Sequence, residues 1–220
     1  MNCDLVFIND IETLLQANMQ LKTDCFIIAQ PFMSIKQAID LKKELEATKL
    51  NFKLCHVMMR PNSKEITAFR QVVDLIAFVG GTVQANKFAV STKGIDILLN
   101  PTSNKKFEFD QNLAHIAQEN DVKIGFLFSE ILNTKGFSRM KTFRNYAFVC
   151  NLLKKYKVKT FFFSGARHEF ELRSSKDLRA FYVMLGFKKE QAFYFEKNAI
   201  ELIFEKPKLF EVIKDEKPKA

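Results

Sequence analysis

Between Ile131 and Arg167 the chain carries Lys135, Arg139, Lys141, Arg144, Lys154, Lys155, Lys157, Lys159 and Arg167, and not one aspartate or glutamate. Solvated faces normally mix signs, so an uninterrupted run of cations is suited to one chemistry above others, the neutralisation of phosphates. The full chain has 220 residues with 34 Lys plus Arg against 25 Asp plus Glu, a formal net charge of +9. The nine clustered cations equal that excess, and the remaining chain balances. A balanced body with one basic segment suggests a polyanionic partner met at one place.

The same chemistry extends just past the run. Ser164-Gly165-Ala166-Arg167 is a stretch of small residues through which backbone N–H groups can approach an anion. Arg173 stands before a predicted helix start, placed for a bidentate phosphate contact. Ser174-x-x-Asp177 reads as a capping box, which gives Asp177 a supporting role, with a salt bridge to Arg173 as the second possibility.

Other chemistries are poorly supplied. The three histidines, His56, His115 and His168, lack metal-ligand spacing, and no H-x-H or H-E-x-x-H occurs, so no metal site is expected. Ser164-Gly165-Ala166 is not G-x-S-x-G, and its nearest base, His168, lacks an orienting carboxylate. Cys3, Cys25, Cys55 and Cys150 form no C-x-x-C pair and read as reduced thiols of a cytoplasmic protein. No stretch is long and apolar enough for a membrane span, and the N-terminus lacks the pattern of a signal peptide. With 24 Phe and no Trp, the aromatics read first as core filler, and Phe161-Phe162-Phe163 as a strand buried on both faces.

The elements that must position these groups alternate regularly. Short apolar runs at 5–9, 25–30, 52–59, 75–80, 95–99, 123–129 and 160–164 read as strands. Helical patterns occupy 10–22, 34–49, 63–72, 84–93, 110–120, 137–156 and 175–185. On the helix 137–156, Met140, Phe143, Ala147 and Cys150 mark an apolar face with Lys141 and Arg144 beside it. Seven βα alternations predict an α/β fold with a parallel sheet, either open and doubly wound or closed as a TIM-barrel-like (β/α) barrel. The first strand is followed by Asn9-Asp10-Ile11-Glu12 rather than G-x-G-x-x-G, which disfavours a dinucleotide-binding sheet, so the barrel of about seven strands is preferred. Residues 1–205 form one domain in this reading, and 206–220 a charged C-terminal tail. Functional groups in such folds gather where strands end, here at Arg60-Pro61-Asn62, Asn100-Pro101-Thr102, Ser129-Glu130-Ile131 and Ser164-Gly165-Ala166-Arg167.

The order of short blocks FSEIL (128–132), a basic helix, YKVKTFFFSGA (156–166), ELRSSKDL (171–178), LGF (185–187) and EQA (190–192) resembles ribonuclease P protein component 3, the archaeal counterpart of the thirty-kilodalton eukaryotic subunit. Gly80-Gly81, Asn86 and Lys93-Gly94-Ile95-Asp96-Ile97-Leu98 fit the same pattern. The resemblance implies a barrel related to metal-dependent phosphoesterases that has lost the metal site. It also implies a non-catalytic subunit that binds ribonuclease P RNA beside protein component 2, in a holoenzyme that removes the 5′ leader of precursor tRNA with Mg²⁺ held by the RNA. It carries RNA contact to Arg173, to Ser164-Gly165-Ala166 and to the basic positions around Lys155 and Lys157, and support to Asp177. Two positions depart from the family: Gln111 stands where a histidine is common, and Phe193 where a lysine is common. The competing class is a stand-alone barrel phosphoesterase acting on nucleotides or oligonucleotides, and a third is a scaffold whose basic patch meets an acidic protein.

Overall fold

A computed structural model of the chain describes residues 2–102 and 108–204, so the tail at 206–220 lies outside the described residues. Seven strands, β1 (Cys3–Val6), β2 (Cys25–Gln30), β3 (Phe52–Met58), β4 (Leu75–Val79), β5 (Ile97–Leu99), β6 (Lys123–Leu127) and β7 (Thr160–Phe163), lie side by side in chain order. Every neighbouring pair is parallel. Between them run α1 (Ile11–Leu21), α2 (Ile35–Glu46), α3 (Ser63–Phe69), α4 (Val83–Ser91), α5 (Gln111–Glu119), α6 (Phe128–Leu132) and α7 (Gly136–Lys155). After β7 come a 3₁₀ turn (Glu169–Glu171), α8 (Ser175–Met184), α9 (Lys189–Lys197) and α10 (Ala199–Phe204).

Local chemistry sets the helix starts. Asp10, Ser34, Asn62, Thr82, Asp110 and Ser174 are N-caps whose side chains accept from the N–H three residues on. The strands are apolar on both faces because both are covered. Leu5, Ile27, Val57, Ala77, Leu99 and Phe163 belong to an inner cluster, closed at one end by Ala199, Leu202 and Ile203 of α10. Val6, Ile28, Leu54, Phe78, Phe126 and Phe162 meet the surrounding helices. Gly125 leaves room inside: a Cβ there would stand 2.8 Å from Leu99 Cδ2 and 3.2 Å from Phe163 Cε2.

Closure, open in the sequence, is made by backbone beyond β7. Gly165 N–H donates to Leu5 O at 3.0 Å, and Phe7 N–H donates to Ala166 O at 2.7 Å. A regular parallel ladder would send Phe7 N–H to residue 165, so the strand bulges by one residue at Gly165, whose φ is +61°. Asp4 seals the seam, its Oδ1 accepting from Ser164 N–H at 2.6 Å. Its other oxygen, Oδ2, is buried without a hydrogen-bond partner.

Burial pushes the Asp4 carboxyl up to about 7, against hydrogen bonds from Ser164 that favour the charged form. Between the ordinary value of 3.8 and about 7 the folded chain therefore holds a proton that the unfolded chain releases, so Asp4 makes stability fall as pH rises through that window. Asp4→Asn keeps an acceptor for Ser164 N–H and cannot ionise. Thermal unfolding followed against pH is expected to show a shallower fall for the variant, and a gain over the parent of up to about 4 kcal/mol above neutrality. An unchanged slope would show that Asp4 titrates alike folded and unfolded.

Three short helices went beyond the periodic pattern. The run at 123–129 ends as a strand at Leu127 and turns directly into α6, while α9 and α10 lie past the last predicted helix. The five-residue α6 is too short to show a helical period.

Candidate nucleic-acid interface

Helix α7 runs back along the outside of the barrel, from the end where strands finish toward the end where β7 begins. Its 20 residues span about 30 Å. Thr142, Asn145, Tyr146, Val149, Cys150 and Leu153 are its buried face. The apolar line Met140, Phe143, Ala147 and Cys150 is the edge of that face rather than its centre: Cys150 is fully covered, Phe143 and Ala147 are half-buried against the core, and Met140 is exposed. Thr142 and Asn145 go inward beside Tyr146, with Thr142 Oγ1 donating to Ser138 O at 3.1 Å. Burial pushes the Tyr146 hydroxyl well above the ordinary range, and that hydroxyl, kept protonated, donates to Asn100 Oδ1 at 3.0 Å. The same oxygen accepts from Leu127 N–H at 3.0 Å, which pins the end of β6.

The basic residues separate in space. Lys135, Arg139, Arg144 and Lys155 are exposed, and Lys141 is half-buried with its ammonium 5.2 Å from the Phe137 ring centre. Lys135 and Arg139 are at one end of α7, Lys155 at the other. Arg139 also clamps the end of α6, donating to Thr134 O at 2.7 Å and Leu132 O at 3.2 Å.

Lys154 and Lys159 have their ammonium groups engaged within the fold, whereas Lys157 is exposed on backbone that ends the helix. Lys154 donates to Gly186 O at 2.6 Å and lies over the Phe187 ring. Lys157 adopts φ +57° just past α7, with its own N–H bonded to Lys154 O and Val158 N–H to Leu153 O, the pattern that ends a helix in a left-handed residue. Lys159 meets Asp121 at 3.1 Å, an acid that the fold brings in from α5's far end and that also binds Lys123 at 2.8 Å. The acid-free run is thus not acid-free in three dimensions at its C-terminal end.

The turn after β7 is also built differently from a phosphate cradle. Ser164 and Gly165 are buried, and all four successive N–H groups bond internally. Ser164 donates to Asp4, Gly165 to Leu5, Ala166 to Ser164 Oγ at 3.3 Å and Arg167 to Glu171 Oε2 at 2.9 Å. Ser164 and Gly165 close the barrel and offer no free donor to an anion. Arg167 is exposed, its guanidinium 5.6 Å from the Phe7 ring centre.

Glu171, which sequence reasoning passed over, organises this turn. Burial disfavours its charge, but hydrogen bonds from Arg167 N–H and Asn133, with the charges of His168 and Arg167, hold its carboxyl below the ordinary value. Arg173 locks the other side, its Nη1 donating to Phe170 O at 2.9 Å and Leu172 O at 2.6 Å while the guanidinium lies 5.3 Å from the Phe128 ring centre. Asp177 completes the capping box with Ser174, and no ion pair joins it to Arg173. Arg173→Ala is expected to lower the stability of the protein alone by roughly 1–3 kcal/mol, two carbonyl bonds being lost. Urea unfolding checks this, and an unmoved midpoint would mark Arg173 as a surface contact only.

At the strand ends, a cleft of about 240 Å³ is lined by Gly80, Gly81, Asn100, Glu130, Thr142 and Tyr146 among others. Among the described residues lining it, Glu130 is the single carboxylate and none is a histidine. Among the described residues no three His, Cys, Asp or Glu side chains are grouped to hold a metal ion. Burial pushes the Cys25 thiol up to about 12 and raises Cys55 and Cys150 further, so these are inert packing thiols. Among the described residues no helix is long and apolar enough to cross a membrane.

Comparison with known proteins accords with this geometry. The model of the family described as RNase P subunit p30 matches residues 5–208. Ribonuclease P protein component 3 of Methanosarcina barkeri is 29% identical over 164 residues, covering 74% of this chain and 66% of that protein. Its counterpart in Thermococcus gammatolerans is 30% identical over 150 residues, covering 66% of this chain and 70% of that protein. The matched stretch thus spans about two thirds of these relatives' own length. A chain in a cryo-EM structure of archaeal ribonuclease P with mature tRNA is similar at TM-score 0.80 and 25% identity, over 91% of this chain and 89% of that one. An uncharacterised protein of known structure shares the fold alone, at TM-score 0.53 and 14% identity over 77% of this chain and 47% of that one. A barrel with α7 on its flank, the ordered blocks around it and a family match over nearly the whole chain have one reading: the chain belongs to the ribonuclease P subunit p30 family.

Proposed function

We propose that this chain works as a protein subunit of ribonuclease P, the ribonucleoprotein endonuclease that removes the 5′ leader of precursor tRNA. It binds and stabilises the catalytic RNA and does not itself cleave. The observation that carries this reading is the outer side of α7, a helix of 20 residues without one acid, displayed on a barrel of the p30 family. Its partners are ribonuclease P RNA, protein component 2 and, through the holoenzyme, precursor tRNA, and its place of action is the cytoplasm. Mg²⁺ belongs to the RNA and not to this chain. Lys135, Arg139, Lys141, Arg144, Lys155 and Lys157 are the RNA contacts, with Arg167 at the far end of the same segment, while Lys154, Lys159 and Arg173 support the surface that presents them.

The test is reconstitution of RNA, protein component 2 and precursor tRNA with and without this chain at limiting Mg²⁺. Leader removal is expected to rise when the chain is added, and the chain alone is expected to hydrolyse no phosphodiester with or without divalent metal. Metal-dependent turnover by the isolated chain would favour the stand-alone phosphoesterase.

A further inference from the structure

Helix α7 places its side chains against the usual pattern: Thr142 and Asn145 are buried while Phe137 and Phe148 are 67% and 46% exposed. At 3.6 residues per turn, Phe137, Lys141, Arg144, Phe148 and Lys155 fall within about 40° of a single line along the helix. The two rings are about 16 Å apart on that line, and cations stand between and beyond them. A single exposed phenylalanine means little. Two at one azimuth, alternating with cations on a helix that has no acid, form an aromatic and basic strip of defined direction.

We propose that this strip binds an unpaired segment of RNA, with bases stacked on Phe137 and Phe148 and phosphates on Lys141, Arg144 and Lys155. The inference rests on the RNA-binding reading above and adds the state of the RNA. In a duplex the base faces are already stacked on one another and only phosphates and groove edges are presented, so exposed rings gain nothing from it. In an unpaired segment each base offers a face, and flanking cations hold the backbone. The Lys141 ammonium rests 5.2 Å from the Phe137 ring centre, and a base arriving at that face displaces it toward the phosphate of the same nucleotide.

The test uses the full chain and a short oligouridylate carrying one 2-aminopurine, with the same sequence as a duplex for comparison. The wild-type chain is expected to bind the unpaired probe in preference to the duplex and to quench the 2-aminopurine. The double variant Phe137→Ala/Phe148→Ala keeps every cation, and its unfolding midpoint, measured alongside, separates a loss of stacking from a loss of fold, with binding compared where both chains are folded. Its affinity for the unpaired probe is expected to fall roughly five-fold to over a hundred-fold for each ring that stacks. Its salt dependence is expected to stay as in the parent, and Phe137→Tyr/Phe148→Tyr to restore binding. Equal binding by the double alanine variant, absence of quenching, or preference for the duplex would each overturn the stacking assignment. The variant Lys141→Ala/Arg144→Ala/Lys155→Ala separates the two levels. If it loses affinity while the phenylalanine variant does not, RNA docking on α7 stands and stacking falls. If neither variant loses affinity, α7 is not the RNA surface, and its apolar strip belongs to a protein contact.

Discussion

Replacing Lys141, Arg144 and Lys155 together by alanine is expected to flatten the salt dependence of RNA binding more than any other change on the surface. Each phosphate contact contributes about −0.7 to the slope of log K against log salt for unpaired strands and about −0.9 for duplex. Loss of three contacts should therefore reduce the slope by between about 2.1 and 2.7. Titration of ribonuclease P RNA across a salt series measures it, and affinity should fall most at the lowest salt. These side chains are at least partly exposed on α7, so unfolding should be affected less than by substitutions in the core. A slope that did not change would place the RNA elsewhere. The same replacement at Lys154 and Lys159 is expected to behave in the opposite way, with stability reduced and slope nearly kept, because those ammonium groups are bonded to Gly186 O and Asp121.

The largest effect on stability is expected at Gly165. Its φ of +61° lies in the left-handed region, and an added Cβ would stand 2.8 Å from both Leu127 Cβ and Ser129 Oγ. Gly165→Ala combines a backbone penalty of about 1–2 kcal/mol with overpacking of about 1–3 kcal/mol. A loss of roughly 2–5 kcal/mol follows, enough to remove much of the margin of an ordinary domain. The bond from Gly165 N–H to Leu5 O is one of two backbone bonds that close the ring, so the damage falls on the seam between β1 and β7. Denaturant unfolding is the measurement, with Gly136→Ala as a control. Gly136 also has positive φ, but nothing stands within 4 Å of a Cβ there, so only the backbone penalty applies. Equal losses at both positions would mean that the seam tolerates the methyl group and that the close contacts do not matter.

The cleft beside Glu130 and the turn at Glu171 illustrate the division of labour at the strand ends. Elsewhere such loops converge on reacting atoms. Here Asn100 binds Leu127 and Tyr146, and Asn86 binds Gly81 N–H, Pro101 O and Glu108 O. These polar groups fix loops to one another. Asn86 and Asn100 thus hold the shape of the loops after β4 and β5.

Much of this was legible from residue types alone. Strand and helix alternation is a pattern of apolar period, and N-caps such as Asp110 and Ser174 act on the backbone three residues away, so local sequence determines them. The ordered blocks from Phe128 to Ala192 pointed to the family, and the acid-free segment made a phosphate-rich partner the expectation. What the tertiary structure alone decided is which cations remain on display. Lys159 reads like Lys155 in sequence, yet Asp121 reaches it only because β6 and β7 pair side by side. Ser164 and Gly165 read like an anion cradle, yet their N–H groups are taken by β1, some 160 residues earlier in the chain. The buried side of α7 could not be read from apolar spacing either, since it includes Thr142 and Asn145 and leaves Phe137 and Phe148 outside. The physical reason is common to all three. Charge and hydrogen-bonding capacity are properties of a residue, but whether they are already satisfied depends on neighbours that only long-range chain pairing supplies.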